Sequence, residues 1–301
     1  MHAYALPEST PLERRLLSVI SGSRSNLASW KIFSNGEAYV HVTRVGSDVV
    51  VIGRFTPGND DVFRTLMLID TLRRNGAERL TLLVPYLAYG RQDRMLNPGD
   101  PLSAACLLKL CAAAGAQRVV TVDIHSSKAL AGSPIPVVSA SVIPSLAAAL
   151  RSRIRGISVQ VVAPDRGARD RAADFAKAVG SKLPVLWIEK ERGRNGAKAK
   201  RLHGSLTAST VVLVDDMVDT GGTVLEAAKL LRGVGVVTQV YLCATHGVFS
   251  GDIARNIREG RFEAVLVSDT VSLPPSMRRL GVEICSSAPA LLGAVKIHPK
   301  P

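Results

Sequence analysis

Apolar and polar positions alternate between two rhythms along the chain. Short β-branched runs at 48–53, 79–84, 118–123, 158–163, 185–188, 210–215, 239–243 and 264–268 are almost continuously apolar, the pattern of strands covered on both faces. Between them, residues 60–75, 103–115, 142–153, 170–179 and 222–234 space their apolar side chains at the helical period. Ser103 stands where an N-cap would open one helix, and Gly115, Gly180 and Gly235 stand where glycine closes three. Alternation of this kind predicts an α/β fold with mostly parallel sheets flanked by helices. A proline-containing stretch at 132–144 interrupts the rhythm, so two domains of similar build are expected, 1–139 and 140–301.

Composition narrows the picture. With 301 residues, 47% of them hydrophobic, the chain has enough apolar surface for two cores, and extensive disorder is excluded. No apolar run reaches the roughly 18 residues of a membrane span, and Met1 to Leu6 lacks the basic and apolar regions of a secretory leader; the expected location is the cytoplasm, with no membrane partner. The four cysteines, Cys106, Cys111, Cys243 and Cys285, have no metal-finger spacing and read as core residues. Thirty-eight lysines and arginines against 25 acidic residues give a net charge of +13, which favours anionic partners. Aromatic residues make up only 4%, too few for stacking platforms on single strands, so phosphorylated small molecules are preferred over nucleic acid.

Three apolar runs end in an acid followed by a polar turn, at Asp123, Asp165 and Asp215. In open α/β sheets that is the edge where ligands bind. The most informative segment is VVLVDDMVDTGGTV, beginning at Val211. Here a buried strand delivers Asp215 and Asp216, and the loop Asp219-Thr220-Gly221-Gly222-Thr223 opens the next helix. Glycines let several backbone N–H groups converge, and the helix N-terminus and threonine hydroxyls add to them, which suits a phosphomonoester. The two carboxylates would repel phosphate but accept hydrogen bonds from vicinal hydroxyls. Together they describe a sugar phosphate.

The same segment resembles the phosphoribosyl pyrophosphate motif of phosphoribosyltransferases and of the synthetases that make that compound. IFSNGE from Ile32, PYLAYGRQDR from Pro85, ATHGVFSG from Ala244, Asp123-Ile124-His125 and Pro164-Asp165 are similar to further signatures of the ribose-phosphate pyrophosphokinase family, in the family's order and over nearly the whole chain. The resemblance implies two phosphoribosyltransferase-like domains and transfer of the diphosphoryl group of Mg-ATP to ribose 5-phosphate. It implies ATP contacts at Phe33, Asn35, Glu37, Arg91, Gln92, Asp93 and His125. Ribose 5-phosphate would be held by Asp215, Asp216, Asp219, Thr220, Gly221, Gly222 and Thr223. A magnesium site is implied at His125 and Asp165, although Mg²⁺ prefers oxygen to imidazole. Lys190 and Arg192 match the family's catalytic Lys-x-Arg, in a polar segment, 189–204, expected to be a flexible basic loop. In the family the Phe33 trio reaches a neighbouring subunit, implying a homo-oligomer, at least a dimer.

Departures exist as well. Asn97-Pro98-Gly99-Asp100-Pro101 looks like the shorter archaeal-type variety, Met95 stands where Lys is frequent, Arg166 follows Asp165, and the chain stops soon after His298. These put allosteric control in doubt. Two other classes stay open: a catalytically silent associated subunit, and a nucleic-acid-binding regulator on the same fold.

Overall fold

The structure, a computed structural model, describes residues 1–22, 28–55, 59–95, 97–193 and 196–296, with no side-chain description for 191–198. The chain divides into two compact units, Met1–Ser141 with Ser287–Pro301, and Val142–Ser286. The first contains β1 (His2–Ala5), α1 (Pro11–Ser21), β2 (Ala28–Ile32), β3 (Ala38–Val42), β4 (Asp48–Ile52), α2 (Asp60–Arg74), β5 (Arg79–Leu83), α3 (Ser103–Ala114), β6 (Arg118–Val122) and β7 (Val137–Ala140). The second contains α4 (Ile143–Arg153), β8 (Val159–Ala163), α5 (Arg169–Val179), β9 (Leu186–Gly193), β10 (Gly196–His203), β11 (Thr210–Val218), α6 (Gly222–Gly233), β12 (Gln239–Gly247), α7 (Ile253–Gly260), β13 (Ala264–Ser268), α8 (Pro275–Arg279) and β14 (Glu283–Cys285). The last helix, α9 (Ala288–Lys296), belongs to the first unit.

In the first unit the strands pair in parallel in the order β1-β4-β5-β6-β7. Val49, Val51, Leu80, Leu82 and Val119 are fully or almost fully buried, with Leu68, Leu72 and Leu108 from α2 and α3 packed over them. Such burial of continuous apolar strands is what parallel sheets require. β2 and β3 form a separate antiparallel ribbon. α9 packs on β6 and β7, and buried Arg118 donates from Nη2 to the Val295 carbonyl at 2.9 Å, answering one of the carbonyls a helix end leaves unpaired. A single division at 139/140 therefore differs from the contacts observed: the chain crosses between its units a second time, before Ser287.

The second unit orders its strands β10-β9-β8-β11-β12-β13-β14, all parallel except β10 against β9. Its core joins Val162, Val211, Leu213, Leu242 and Val265 to Leu231 of α6 and Ile257 of α7. Gly115 and Gly180 close α3 and α5 in the left-handed conformation, as expected from their caps. Gly235, at φ +81°, comes one residue after the C-cap of α6, which is Val234. Ser103 does not cap α3. Leu102 holds that position without a side-chain bond, and the Ser103 hydroxyl donates instead to Gln92 Oε1. Among the described residues no helix is long and apolar enough to cross a membrane.

Candidate active site

The chemistry-bearing residues of the second unit collect at the carboxyl ends of its parallel strands. β11 runs three residues beyond the apolar segment, to Val218, because its backbone stays paired with β12 as far as Val218 and Gly247. The turn that follows reverses on Gly221, whose φ of +79° makes it the left-handed N-cap of α6, a conformation that costs a side-chain-bearing residue energy. A Cβ there would lie 2.6 Å from Ile253 Cδ1. Gly222 differs: nothing stands nearer than 3.9 Å to a Cβ built on it, so the space before it is open. Leu225 N–H closes the first helical turn on the Gly221 carbonyl at 3.0 Å. The N–H groups ahead of Leu225 have no intrahelical acceptor, and with the helix dipole they form a cradle for an anion.

Directly upstream, Asp215 Oδ1 accepts the Asp216 N–H at 2.9 Å, and Asp216 is buried. Burial first, then the charge of Asp216, a hydrogen bond with it and the charge of Asp165, hold the Asp215 carboxyl well above the usual carboxylate range. Asp165 is the turn residue after β8; its Oδ1 accepts the Ala168 N–H at 3.1 Å, and its Oδ2 accepts Lys190 Nζ at 2.7 Å. The candidate catalytic lysine and the candidate metal ligand are therefore ion-paired, with side-chain exposures of 18% and 39%.

Lys190 lies on β9, and the described parts of the polar segment expected as a loop form instead an antiparallel ribbon in which Ala199 opposes Lys190 and Ala197 opposes Arg192, with residues 194 and 195 outside the described residues. The register shifts between Ala199 and Arg201, a bulge of the kind that re-aims side chains. At the ribbon's base Trp187 stacks on His203, with ring centroids 3.9 Å apart and planes 3° from parallel. His203 Nε2 lies 2.9 Å from Glu189 Oε2. Arg169 Cζ is 5.6 Å from the Trp187 ring centroid, within cation–π range. The hydrogen bond from His203 is the main cause that lowers the Glu189 carboxyl. The Arg192 side chain lies outside the described residues.

In the first unit the candidate residues sit on exposed turns. Phe33 follows β2, 41% exposed, with Lys31 Nζ 4.9 Å from its ring centroid and Tyr39 edge-on at 6.1 Å. Phe33 N–H donates to the Glu37 carbonyl, Gly36 N–H to that of Phe33, and Glu37 N–H to Asn35 Oδ1. Asn35 thus closes the turn with its oxygen. After β5, Gln92 N–H donates to the Tyr89 carbonyl at 2.9 Å, Tyr89 taking φ +64°; this tight bend leaves Arg91 and Gln92 exposed and Asp93 half-buried. Gly90 faces His125, whose Cβ would be 3.8 Å from a Cβ at Gly90. Asp123 directly follows β6 at φ +33°, with its N–H donating to the Ala140 carbonyl, and exposed His125 comes two residues on.

Comparison with known proteins fits this geometry. Residues 4–115 match the family model of the N-terminal domain of ribose phosphate pyrophosphokinase, and residues 139–258 match that of the phosphoribosyl transferase domain. The ribose-phosphate pyrophosphokinase of Gloeobacter violaceus is 34% identical over 299 residues, covering 98% of this chain and 88% of that one. The ribose-phosphate pyrophosphokinase of Caldanaerobacter subterraneus subsp. tengcongensis is 35% identical over 271 residues, covering 88% of this chain and 85% of that one. The chain belongs to the ribose-phosphate pyrophosphokinase family. Its fold is also that of the phosphoribosylpyrophosphate synthetase from Mycobacterium smegmatis in its crystal structure, with a TM-score of 0.88 at 28% identity, covering 98% of this chain and 97% of that one.

For a member of the ribose-phosphate pyrophosphokinase family, a divalent cation is the implied helper. Among the described residues no group of three or more histidines, cysteines or acids could hold a metal by itself. Asp165 supplies one carboxylate in keeping with a hard divalent ion: it already draws a cation, Lys190, and its negative charge adds to that of Asp216 in raising Asp215. A hard ion bound by one or two carboxylates and completed by phosphate oxygens is the usual Mg²⁺ arrangement. Residues that no expectation assigned also gather here. Ser250 Oγ donates to Asp219 Oδ1, and Asn256 Nδ2 donates to the Thr220 carbonyl at 2.8 Å. Ser250 belongs to the ATHGVFSG signature, so its segment was visible in the sequence while its task was not.

Proposed function

We propose that this chain transfers the diphosphoryl group of ATP to the anomeric hydroxyl of ribose 5-phosphate, giving phosphoribosyl pyrophosphate and AMP. The observation that carries the reading is the junction of β11 and α6, where Asp215 and Asp216 precede a turn on left-handed Gly221 and open space before Gly222. The 5-phosphate occupies the cradle of Asp219, Thr220, Gly221, Gly222 and Thr223, and the Asp215–Asp216 pair takes the ribose hydroxyls. Phe33 covers the adenine, Asn35 and Glu37 read its edge, and Arg91, Gln92, Asp93 and His125 meet the ribose and phosphates of ATP.

The anomeric hydroxyl oxygen attacks the β-phosphorus in line and loses its proton to solvent. The bond from that phosphorus to the oxygen bridging to the α-phosphate breaks, and AMP leaves with that oxygen. Catalysis of this kind rests on positioning and charge neutralisation. Lys190, released from Asp165, and Arg192 neutralise charge on the transferred group. Asp165 would hold Mg²⁺ together with phosphate oxygens, and the ion would supply further neutralisation; His125, a poor magnesium ligand, meets the triphosphate directly or through water. The exposed Phe33 turn is completed by a second copy of the chain, so the working form is at least a dimer, acting on phosphorylated substrates of the cytoplasm.

ATP labelled at the β-phosphorus tests the reading. The label should pass to phosphoribosyl pyrophosphate, with AMP released only when ribose 5-phosphate is present. Label retained in ADP, or AMP release without the pentose, would refute it.

A further inference from the structure

The phosphate turn does not hold its shape alone; its outer side is lined by residues 248–256, which begin within the ATHGVFSG signature and continue into α7. Val218 O accepts the N–H groups of Val248 and Phe249 at 2.9 and 3.1 Å, and Asp219 O accepts that of Ser250 at 3.2 Å. Thr220 O accepts Asn256 Nδ2 at 2.8 Å. Three successive carbonyls of the turn therefore point at this one segment. A trans peptide sets its C=O and N–H on opposite sides, and the chain has no cis bond among the described residues. The N–H groups of Thr220 and Gly221 consequently face away from the segment. Charge follows the same logic. A carbonyl or carboxylate turned into the cradle would repel an anion, and here the Asp219 carboxylate is drawn outward by the Ser250 hydroxyl. Close packing fixes the arrangement: a Cβ on Gly251 would lie 3.7 Å from Thr220 Cγ2, and one on Gly221 would lie 3.3 Å from Asn256 Cβ. The platform itself is anchored by buried His246, whose Nδ1 lies 2.8 Å from Thr270 Oγ1, and by Ser268 Oγ, which donates to the Thr245 carbonyl at 2.7 Å.

We infer that Ser250 and Asn256 are positioning residues for the sugar-phosphate loop: by taking up its carboxylate and carbonyl from outside, they aim its N–H groups at the 5-phosphate. This rests on the proposed function for the identity of the ligand, though not for the loop's affinity for phosphate. Asn256→Asp is the sharpest variant, because it keeps the shape while replacing the donor with an acceptor opposed to the Thr220 carbonyl. Ribose 5-phosphate is titrated calorimetrically into the full chain held with Mg²⁺ and α,β-methylene-ATP, and steady-state KM and kcat are measured beside it. Asn256→Asp should weaken ribose 5-phosphate about tenfold or more, and Ser250→Ala roughly 3- to 10-fold, the worth of one hydrogen bond. Ser250→Thr should restore most of the loss. In each variant the KM for ATP, kcat at saturating pentose and the Tm should stay near wild type, a split that mere loosening of the fold would not give. Where Asn256→Asp melts early, Asn256→Ala carries the same test. Unchanged ribose 5-phosphate affinity in a folded Asn256 variant, or equal loss of both substrates, would overturn the inference. If the wild-type chain ignores ribose 5-phosphate but binds inorganic pyrophosphate, and Asn256→Asp weakens that binding, the positioning role stands and the substrate assignment falls.

Discussion

The two units present their candidate residues in opposite ways. In the second, the candidate parts are backbone and charge set into the sheet edge: a turn forced by Gly221, the Asp215–Asp216 pair, and half-buried Lys190 held on Asp165. In the first, they are exposed side chains on turns, Phe33, Arg91, Gln92 and His125, each set by a local hydrogen bond or a left-handed residue. A phosphate is caught by converging N–H groups, which only a fixed backbone offers. An adenine ring needs a face and an edge, which side chains supply with less demand on the backbone. The comparison teaches that the sugar-phosphate side should fail through changes in backbone geometry, and the nucleotide side through truncation of single side chains.

The largest expected effect lies at Lys190 on β9. Lys190→Ala should lower kcat by roughly 10²- to 10³-fold, the usual cost of losing one electrostatic stabiliser of a transition state, with little change in either KM. Steady-state kinetics decide it; near wild-type turnover would remove Lys190 from catalysis.

Next comes the exposed aromatic. Phe33→Ala should raise the KM for ATP about tenfold, since stacking on a base is worth roughly 1–3 kcal/mol, while melting at the wild-type temperature because 41% of Phe33 is already exposed. Its counterpart in the second unit should reverse that pattern. Gly221→Ala places a Cβ 2.6 Å from Ile253 Cδ1 at φ +79°, and should cost stability of about 1–3 kcal/mol, read as a lower midpoint in urea. A Phe33 variant that unfolds early, or a Gly221 variant of full stability, would erase the distinction.

The smallest effect is a pH dependence. Burial and the neighbouring acids raise the Asp215 carboxyl in the folded state, so the folded chain keeps a proton that the unfolded chain loses near pH 4. Stability should then fall as pH climbs from about 4 to the raised value, and level off above it. Asp215→Asn removes this loss and should raise Tm by a few degrees at neutral pH, with a smaller gain or none at acid pH. Thermal melts across that range would show it; an unchanged profile would mean that Asp215 ionises without cost.

Much of this architecture was legible where burial dictates composition. The strands from 118, 159, 210 and 264 are covered on both faces, and their apolar runs announced them. The ribbon of β9 and β10 was not legible beyond Ile188, because outside the sheet's covered centre each residue can be polar while its backbone still pairs. β2 and β3 escaped for the same reason. α1 did leave a signal, Thr10 and Glu13 at capping-box spacing, which the structure realises with bonds of 3.2 and 2.8 Å. At the candidate site, the strand end and turn from Asp215 to Thr223 could be read because glycine after an apolar run implies a tight turn, which the structure makes at Gly221. Ser250 and Asn256 could not, since their side-chain partners, the Asp219 carboxylate and the Thr220 carbonyl, lie 31 and 36 positions away.

The turn before α6 should hold the sugar phosphate independently of the side chains proposed to meet the nucleotide. Ribose 5-phosphate titrated into the full chain with Mg²⁺ and saturating α,β-methylene-ATP tests it most directly, using Gly222→Val and Phe33→Ala. A Cβ built on Gly222 meets nothing nearer than Thr220 Oγ1 at 3.9 Å, so Gly222→Val should keep its Tm yet lose ribose 5-phosphate binding, whereas Phe33→Ala should bind the pentose as the wild type does. Wild-type affinity in Gly222→Val, or an equal loss in Phe33→Ala, would contradict the account.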